Sequence, residues 1–297
     1  MAVRAEALSL SQEHRIVEPS VWHRFAANRR IRFGATLLAV IVFAALAAPL
    51  LAHANPRTPH PELNNHPPLS TAGRFALLGT DSLGRDIWSR ILYGARVSLL
   101  TGVAAASVAL VIGIPFGLLA GFFGGAADTI IMRWVDIQLA IPFFLLAITI
   151  AALFGPGLFN VIALLGVTNW VGYTRVARAQ VLQVRELPYV EAARSVGADS
   201  RTVLLRHVLP NIWTPILILA SQQIGALIIA ESSLTFLGIG VPPEIPTWGG
   251  MIANGRSYLS TAWWISTVPG IALTLTVVAV YFVGDGMRDV LDPRLKR

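Results

Sequence analysis

Six apolar stretches punctuate this chain, at 34 to 52, 97 to 123, 135 to 154, 157 to 176, 212 to 236 and 263 to 284. A helix of about twenty residues crosses a hydrocarbon core ~30 Å thick, so each stretch is predicted to be a transmembrane helix. The stretch from 97 to 123 has no charged residue, 135 to 154 has only Asp136, and 212 to 236 has only Glu231. The weakest is 157 to 176, diluted by Asn160, Asn169 and Arg175. The first has a competing reading as a secretory signal, because Ala52-His53-Ala54 follows a basic start and an apolar run. The run is longer than a signal core and some thirty residues precede it, so a retained helix is favoured.

The polar segments between these stretches differ in kind. "HANPRTPHPELNNHPPLS" reads as irregular, rich in Pro and Asn. "LGTDSLGRDIWSRILYGARVSLLTG" becomes helical, with Ile87, Ile91 and Leu92 at helical spacing and Asp81 or Ser82 as the expected cap. Trp88 and Tyr93 would anchor it at headgroup level. Gly113, Gly117 and Gly121 recur every fourth residue in the second span, a spacing that lets two helix backbones approach closely. The segment at about 177 to 211 is the largest of the inner segments. In it "VEAARSVG" reads as a short helix stopped by Gly197 in a left-handed C-cap. Asp199 or Ser200 would cap a second helix, "RTVLLRHVL", which Pro210 is expected to end.

Composition strengthens the membrane reading. The 297 residues are 55% hydrophobic and only 13% charged, far from the near quarter charged in soluble domains. The net charge of +7 is a topology signal rather than a nucleic-acid footprint. With six crossings and both termini inside, 17 of the 23 Lys and Arg residues fall on the inner side. The outer ones are Arg57, Arg74, Arg85, Arg90, Arg96 and Arg256. The positive-inside rule therefore puts both termini in the cytoplasm. The absence of cysteine excludes disulfides and thiolate sites. The expected class is an all-α integral membrane protein with six transmembrane helices. Its divisions are a cytoplasmic tail (1–33), a first span (34–52), an extracytoplasmic loop with an interfacial helix (53–96), a five-span core (97–284) containing a cytoplasmic loop (185–211), and a tail (285–297).

Energy must come from elsewhere. The only lysine is Lys296, in the tail and without the glycine pattern of a phosphate-binding loop. The chain is thus not expected to be an enzyme or to bind a cofactor. Ion-gradient transport would favour inverted repeats, and none is visible. His53, His60 and His66 are spaced seven and six apart in a Pro-rich loop, a poor metal-ligand set.

Glu191-Ala192-Ala193, then Gly197, then Leu209-Pro210 resemble the "EAA" loop of the membrane subunits of bacterial ATP-binding-cassette importers. His207 stands where the general pattern has an aliphatic residue, as is common in the peptide/nickel branch. "LGTDSLGRDIWSRILYGARVSL" is similar to the segment before the second helix in the C-type permease of dipeptide and oligopeptide importers, and "GDGMRDVLDPRLK" is a third match. The similarity covers about residues 30 to 297. It implies a type I importer permease fold, with the "EAA" helix seated in a groove on an ATPase through Glu191, Ala192, Ala193, Gly197, Leu209 and Pro210. The implied partners are a homologous second permease, two cytoplasmic ATPases that bind ATP and Mg, an extracytoplasmic substrate-binding protein and the bilayer. The implied cargo is peptide, with nickel or another small cargo as the alternative. For a path through the membrane, Glu231, Asn169, Trp170 and Tyr173 are the polar candidates.

Overall fold

The computed structural model describes residues 25–70 and 77–291. The first 24 residues and the end of the third matching motif, with Lys296, lie outside that range. The described residues are helical without a named strand; the one β-bridge joins Thr80 and Asp86. The main helices are α1 (Arg29–Leu46), α2 (Ile87–Phe123), α3 (Gly125–Ala140), α4 (Phe143–Phe154), α5 (Leu158–Val184), α6 (Pro188–Ser195), α7 (Ser200–Phe236), α8 (Trp248–Gly255) and α9 (Trp264–Leu291).

Among the described residues, α2, α7 and α9 are each long and apolar enough to cross a membrane, and the bent pair α3 and α4 would make a fourth. Helix α1 is long enough but opens with Arg29, Arg30 and Arg32. Helix α5 has the length but carries the diluting polar residues foreseen for it.

The glycine row of α2 forms its seam with α5. A Cβ on Gly113 would stand 2.5 Å from Trp170 O, one on Gly117 2.5 Å from Ala177 Cβ, and one on Gly121 2.7 Å from Val181 Cβ. No larger residue fits at this approach, which brings the two backbones together over two turns. Helices α1 and α9 pack as a second pair, tied at one end by Arg30 and Asp289 at 3.3 Å. Helix α7 lies between α2 and α9.

Three expectations are corrected. The cap of α2 is Asp86, whose carboxylate accepts from Ser89 N at 3.0 Å; Asp81 and Ser82 lie in the turn before it. The stretch 135 to 154 is not one straight span, because Pro142 breaks it and the two halves meet at 86°. Pro210 does not end the helix it follows. Residues Val203–Val208 form a π turn in which Leu209 N donates to Leu204 O, and the widened turn carries the helix through Pro210.

Candidate functional site

On the side of the molecule where α2 ends and α5 runs out of the bundle, Leu187 and Pro188 start α6, with Pro188 in the first turn where its missing N–H costs nothing. Only Val190 of α6 is buried. It enters a cluster with Phe122, Val181, Val184, Val203, Val208 and Ile212, so one residue hangs the helix on α2, α5 and α7. Arg194 adds a second tie, its guanidinium 5.1 Å from the centre of the Phe122 ring. Arg185 donates to Gly121 O at 2.8 Å, and Arg178 grips Asp128 through two bonds of 2.5 and 2.6 Å.

The turn after α6 has the expected shape. Ala198 N donates to Ala193 O at 3.1 Å and Gly197 N to Arg194 O at 2.9 Å, a Schellman motif with Gly197 at φ 92°. Nothing stands within 4 Å of a Cβ built on Gly197, so the glycine is there for its dihedral alone. Asp199 then caps α7, accepting from Thr202 N at 3.3 Å. Hydrogen bonding from the Thr202 side chain, and to a lesser degree from its backbone N–H, draws the Asp199 carboxyl below its ordinary 3.8. Glu191, Ala192 and Gly197 face solvent, and Ala193 is half-buried. Next to Gly197, Val196 is 90% exposed. An aliphatic side chain so fully wetted, at the end of a short helix held by Val190 and Arg194, is a surface with no partner among the described residues. Leu209 is half-buried and Pro210 exposed, and the His207 ring lies 6.4 Å from that of Tyr189, tilted by 54°.

The polar candidates within the spans do not form one cluster. Asn169 borders a cavity of about 420 Å³ that opens at the α3–α4 bend. Its amide donates to Leu165 O at 2.8 Å and its carbonyl accepts from Gln223 at 3.3 Å. Trp170 turns instead to Gln138, its indole donating to Oε1 at 2.6 Å. Tyr173 is fully buried against Gly113, its hydroxyl without a hydrogen-bond partner among the described residues. Glu231 is also fully buried. Its oxygens accept from Thr235 at 2.9 Å and from Ser98 and Ser232 at 3.3 Å, with no cation among these partners. Gln138 was not foreseen. It borders the same cavity as Asn169 and donates to Thr168 O at 2.6 Å, pinning the end of α3 to α5 just before the break at Pro142. Its signal was a polar residue a turn before a proline in an otherwise apolar run.

The other organised site faces the opposite end of α2. Thr80 donates through Oγ1 to Leu63 O, accepts from His66 N at 3.0 Å, and receives the indole of Trp264 on its own carbonyl at 3.2 Å. Asp81 accepts from Leu83 N and Arg85 N at 2.9 Å, and from Arg85 Nε at 2.7 Å. Ser89 accepts from His53 N and donates to Asp86. The segment "GTDSLGRD" is thus a largely buried polar knot fastening the preceding loop to α2, beyond the interfacial anchoring expected of it.

This fold, long apolar helices in pairs with one sharply bent helix pair and a short exposed helix between α5 and α7, is that of a helical membrane protein. One chain of the inward-facing MetNI methionine ABC transporter superposes with a TM-score of 0.56, covering 69% of this chain and 98% of that one at 20% identity, a likeness of fold alone. A family model described as "Binding-protein-dependent transport system inner membrane component" matches residues 113–297, and a second, "N-terminal TM domain of oligopeptide transport permease C", matches 20–68. The chain is 41% identical to the di/tripeptide transport system permease protein DppC of Pseudomonas aeruginosa, over 93% of this chain and 91% of that protein. It is 36% identical to the probable D,D-dipeptide transport system permease protein DdpC of Escherichia coli, over 97% and 98%. With the glutathione transport system permease protein GsiD of Pectobacterium atrosepticum it shares 45% over 74% and 73%. The chain therefore belongs to the family of binding-protein-dependent transport system inner membrane components, as a multi-pass protein of the inner membrane.

Proposed function

We propose that this chain is one of two permease subunits in an ATP-driven importer of di- and oligopeptides, six-spanning with both termini cytoplasmic. The exposed face of α6, with Glu191, Ala192, Val196 and Gly197, docks on a cytoplasmic ATPase, and a second ATPase serves a homologous permease. An extracytoplasmic binding protein delivers the cargo. ATP and Mg are held by the ATPases and no cofactor by this chain. Leu209 and Pro210 belong to the continuous stem of α7, so a push on α6 reaches a membrane span without crossing a flexible joint. Asn169, at the α3–α4 bend, is the residue of the intramembrane set best placed to meet cargo.

The observation that carries the docking assignment is the pairing of Val190, fully buried within α6, with Val196, 90% exposed at the C-cap of the same short helix. One holds α6 to its own subunit and the other is left for a partner. Peptide cargo is supported by the functions named for the relatives above. The test reconstitutes the complete transporter. Glu191→Arg with Gly197→Asp should leave the subunit inserted, release the ATPases and abolish peptide uptake. Val196→Asp, which alters a wetted side chain and no packing, should do the same without disturbing the fold. ATP-dependent uptake at the normal rate in both variants would overturn the docking assignment.

A further inference from the structure

The outer end of the molecule contains a cavity of about 310 Å³ between α2, the loop after α7 and α8. Its walls include Phe236, Pro242 and Ile245; its charged and polar lining includes Arg90, Arg256 and Asn254, and among the described residues no carboxylate borders it.

Arg90 is 2% exposed. Its side chain makes one hydrogen bond, from Nη1 to Pro56 O at 2.9 Å. Its Nε stands 3.5 Å from Asp81 Oδ2 and has no hydrogen-bond partner. The same Asp81 oxygen already accepts from Arg85 Nε at 2.7 Å. Two guanidinium groups therefore share one carboxylate, and Arg90 is the one left underbonded. Asp86, also buried, is engaged by Ser89 and forms no ion pair with Arg90. Arg256 has no acidic partner among the described residues, and its guanidinium lies 5.6 Å from the centre of the Phe236 ring, which holds it at the cavity wall. A buried cation with unfilled donors is costly until an anion completes it. The planar fork of a guanidinium is matched by a carboxylate. The volume lies at the small end of ligand sites and admits one terminal residue rather than a whole peptide.

We propose that this cavity receives the free C-terminal carboxylate of a peptide cargo at the outer face, with Arg90 and Arg256 as its charged contacts. The proposal rests on the peptide-importer reading given above. It adds a permease-borne site that would favour free-acid peptides independently of the binding protein.

The test uses the full transporter in proteoliposomes, with one tripeptide supplied as free acid and as C-terminal amide, each at a concentration that loads the binding protein. The wild type should take up the acid faster. Arg256→Gln, at an exposed position, should lower acid uptake by roughly tenfold, the loss expected for one charge-assisted hydrogen bond, and leave the amide rate unchanged. Arg90→Gln should act in the same direction. Equal loss for acid and amide, as a lipid phosphate or a binding-protein contact in the cavity would give, overturns the proposal. Unchanged acid-to-amide ratios in an inserted Arg256→Gln variant overturn it as well. Failure of the wild type to import either form would instead sink the importer reading, and this site with it.

Discussion

The two ends of α2 are built on opposite plans. At its N-terminal end, the outer one in the topology proposed above, Thr80, Asp81, Asp86 and Ser89 are sealed from solvent, and Thr80 and Ser89 bond to the backbone of Leu63, His66 and His53, so the preceding loop is part of the folded body. At its inner end, α6 is held by Val190 and Arg194, and the rest of its surface is given to solvent. Buried polar bonds specify one arrangement and resist motion. A helix on one apolar peg has a defined position and a free face. The contrast separates a region that must keep its shape from one that must be touched.

Two glycines expose the contrast most sharply. Both have positive φ, 72° at Gly84 and 92° at Gly197. A Cβ on Gly84 would lie 1.8 Å from His60 O, whereas one on Gly197 meets nothing. Gly84→Ala should therefore cost more than ~4 kcal/mol and release the outer loop. Gly197→Ala should cost about 1 kcal/mol, from the left-handed dihedral alone. Thermal unfolding in detergent with protease access to the loop measures both. Equal costs would show that the inner turn is packed after all. Gly197→Asn, which tolerates the dihedral, sharpens the result: if it folds normally yet uptake falls, the partner needs the bare backbone.

The next largest effect belongs to charge. Asp81→Asn leaves Arg85 and Arg90 buried without their shared carboxylate, and should lower stability by ~3 kcal/mol. The inner pair, Asp128 and Arg178, is 22% and 32% exposed at its side chains. Asp128→Asn should cost no more than ~1 kcal/mol, a loss that added salt should shrink further. A cost as large as that of Asp81→Asn would mean the inner clamp is structural in the same sense as the outer knot.

The inner end was the more legible of the two in the sequence. Its helix, its Gly197 stop and its Asp199 cap are local features, set by residues within a few positions of one another. The glycine seam was legible for the same reason, though the identity of α5 as its partner was not. The outer knot depends on Thr80 meeting Leu63, His66 and Trp264, contacts that no local pattern encodes. Glu231 finds Ser98 at a separation of 133 positions, so its burial and its donors were equally hidden. The break at Pro142 lies inside a uniformly apolar run, whose hydropathy alone does not distinguish one span from two bent halves. Pro210 was read as a stop because the π turn that accommodates it has no sequence signature.

The smallest expected effect tests how little holds the inner turn. Asp199 faces solvent and caps α7 with one carboxylate oxygen. Its folded-state value is drawn below 3.8, so the cap contributes at any pH above that ordinary value. The contribution is lost only as pH falls through the depressed value, because protonation favours the uncapped turn. Hydrogen exchange at Thr202, corrected for intrinsic rates, should thus stay protected at neutral pH and loosen slightly below the ordinary carboxylate range. Asp199→Asn should keep the protection and remove its pH dependence, since the amide oxygen caps without titrating. Asp199→Ala should show the loosened state at every pH. If the aspartate and alanine forms exchanged alike at neutral pH, the turn would owe its shape to Gly197 alone, and the inner end would be held more sparely still than the outer one.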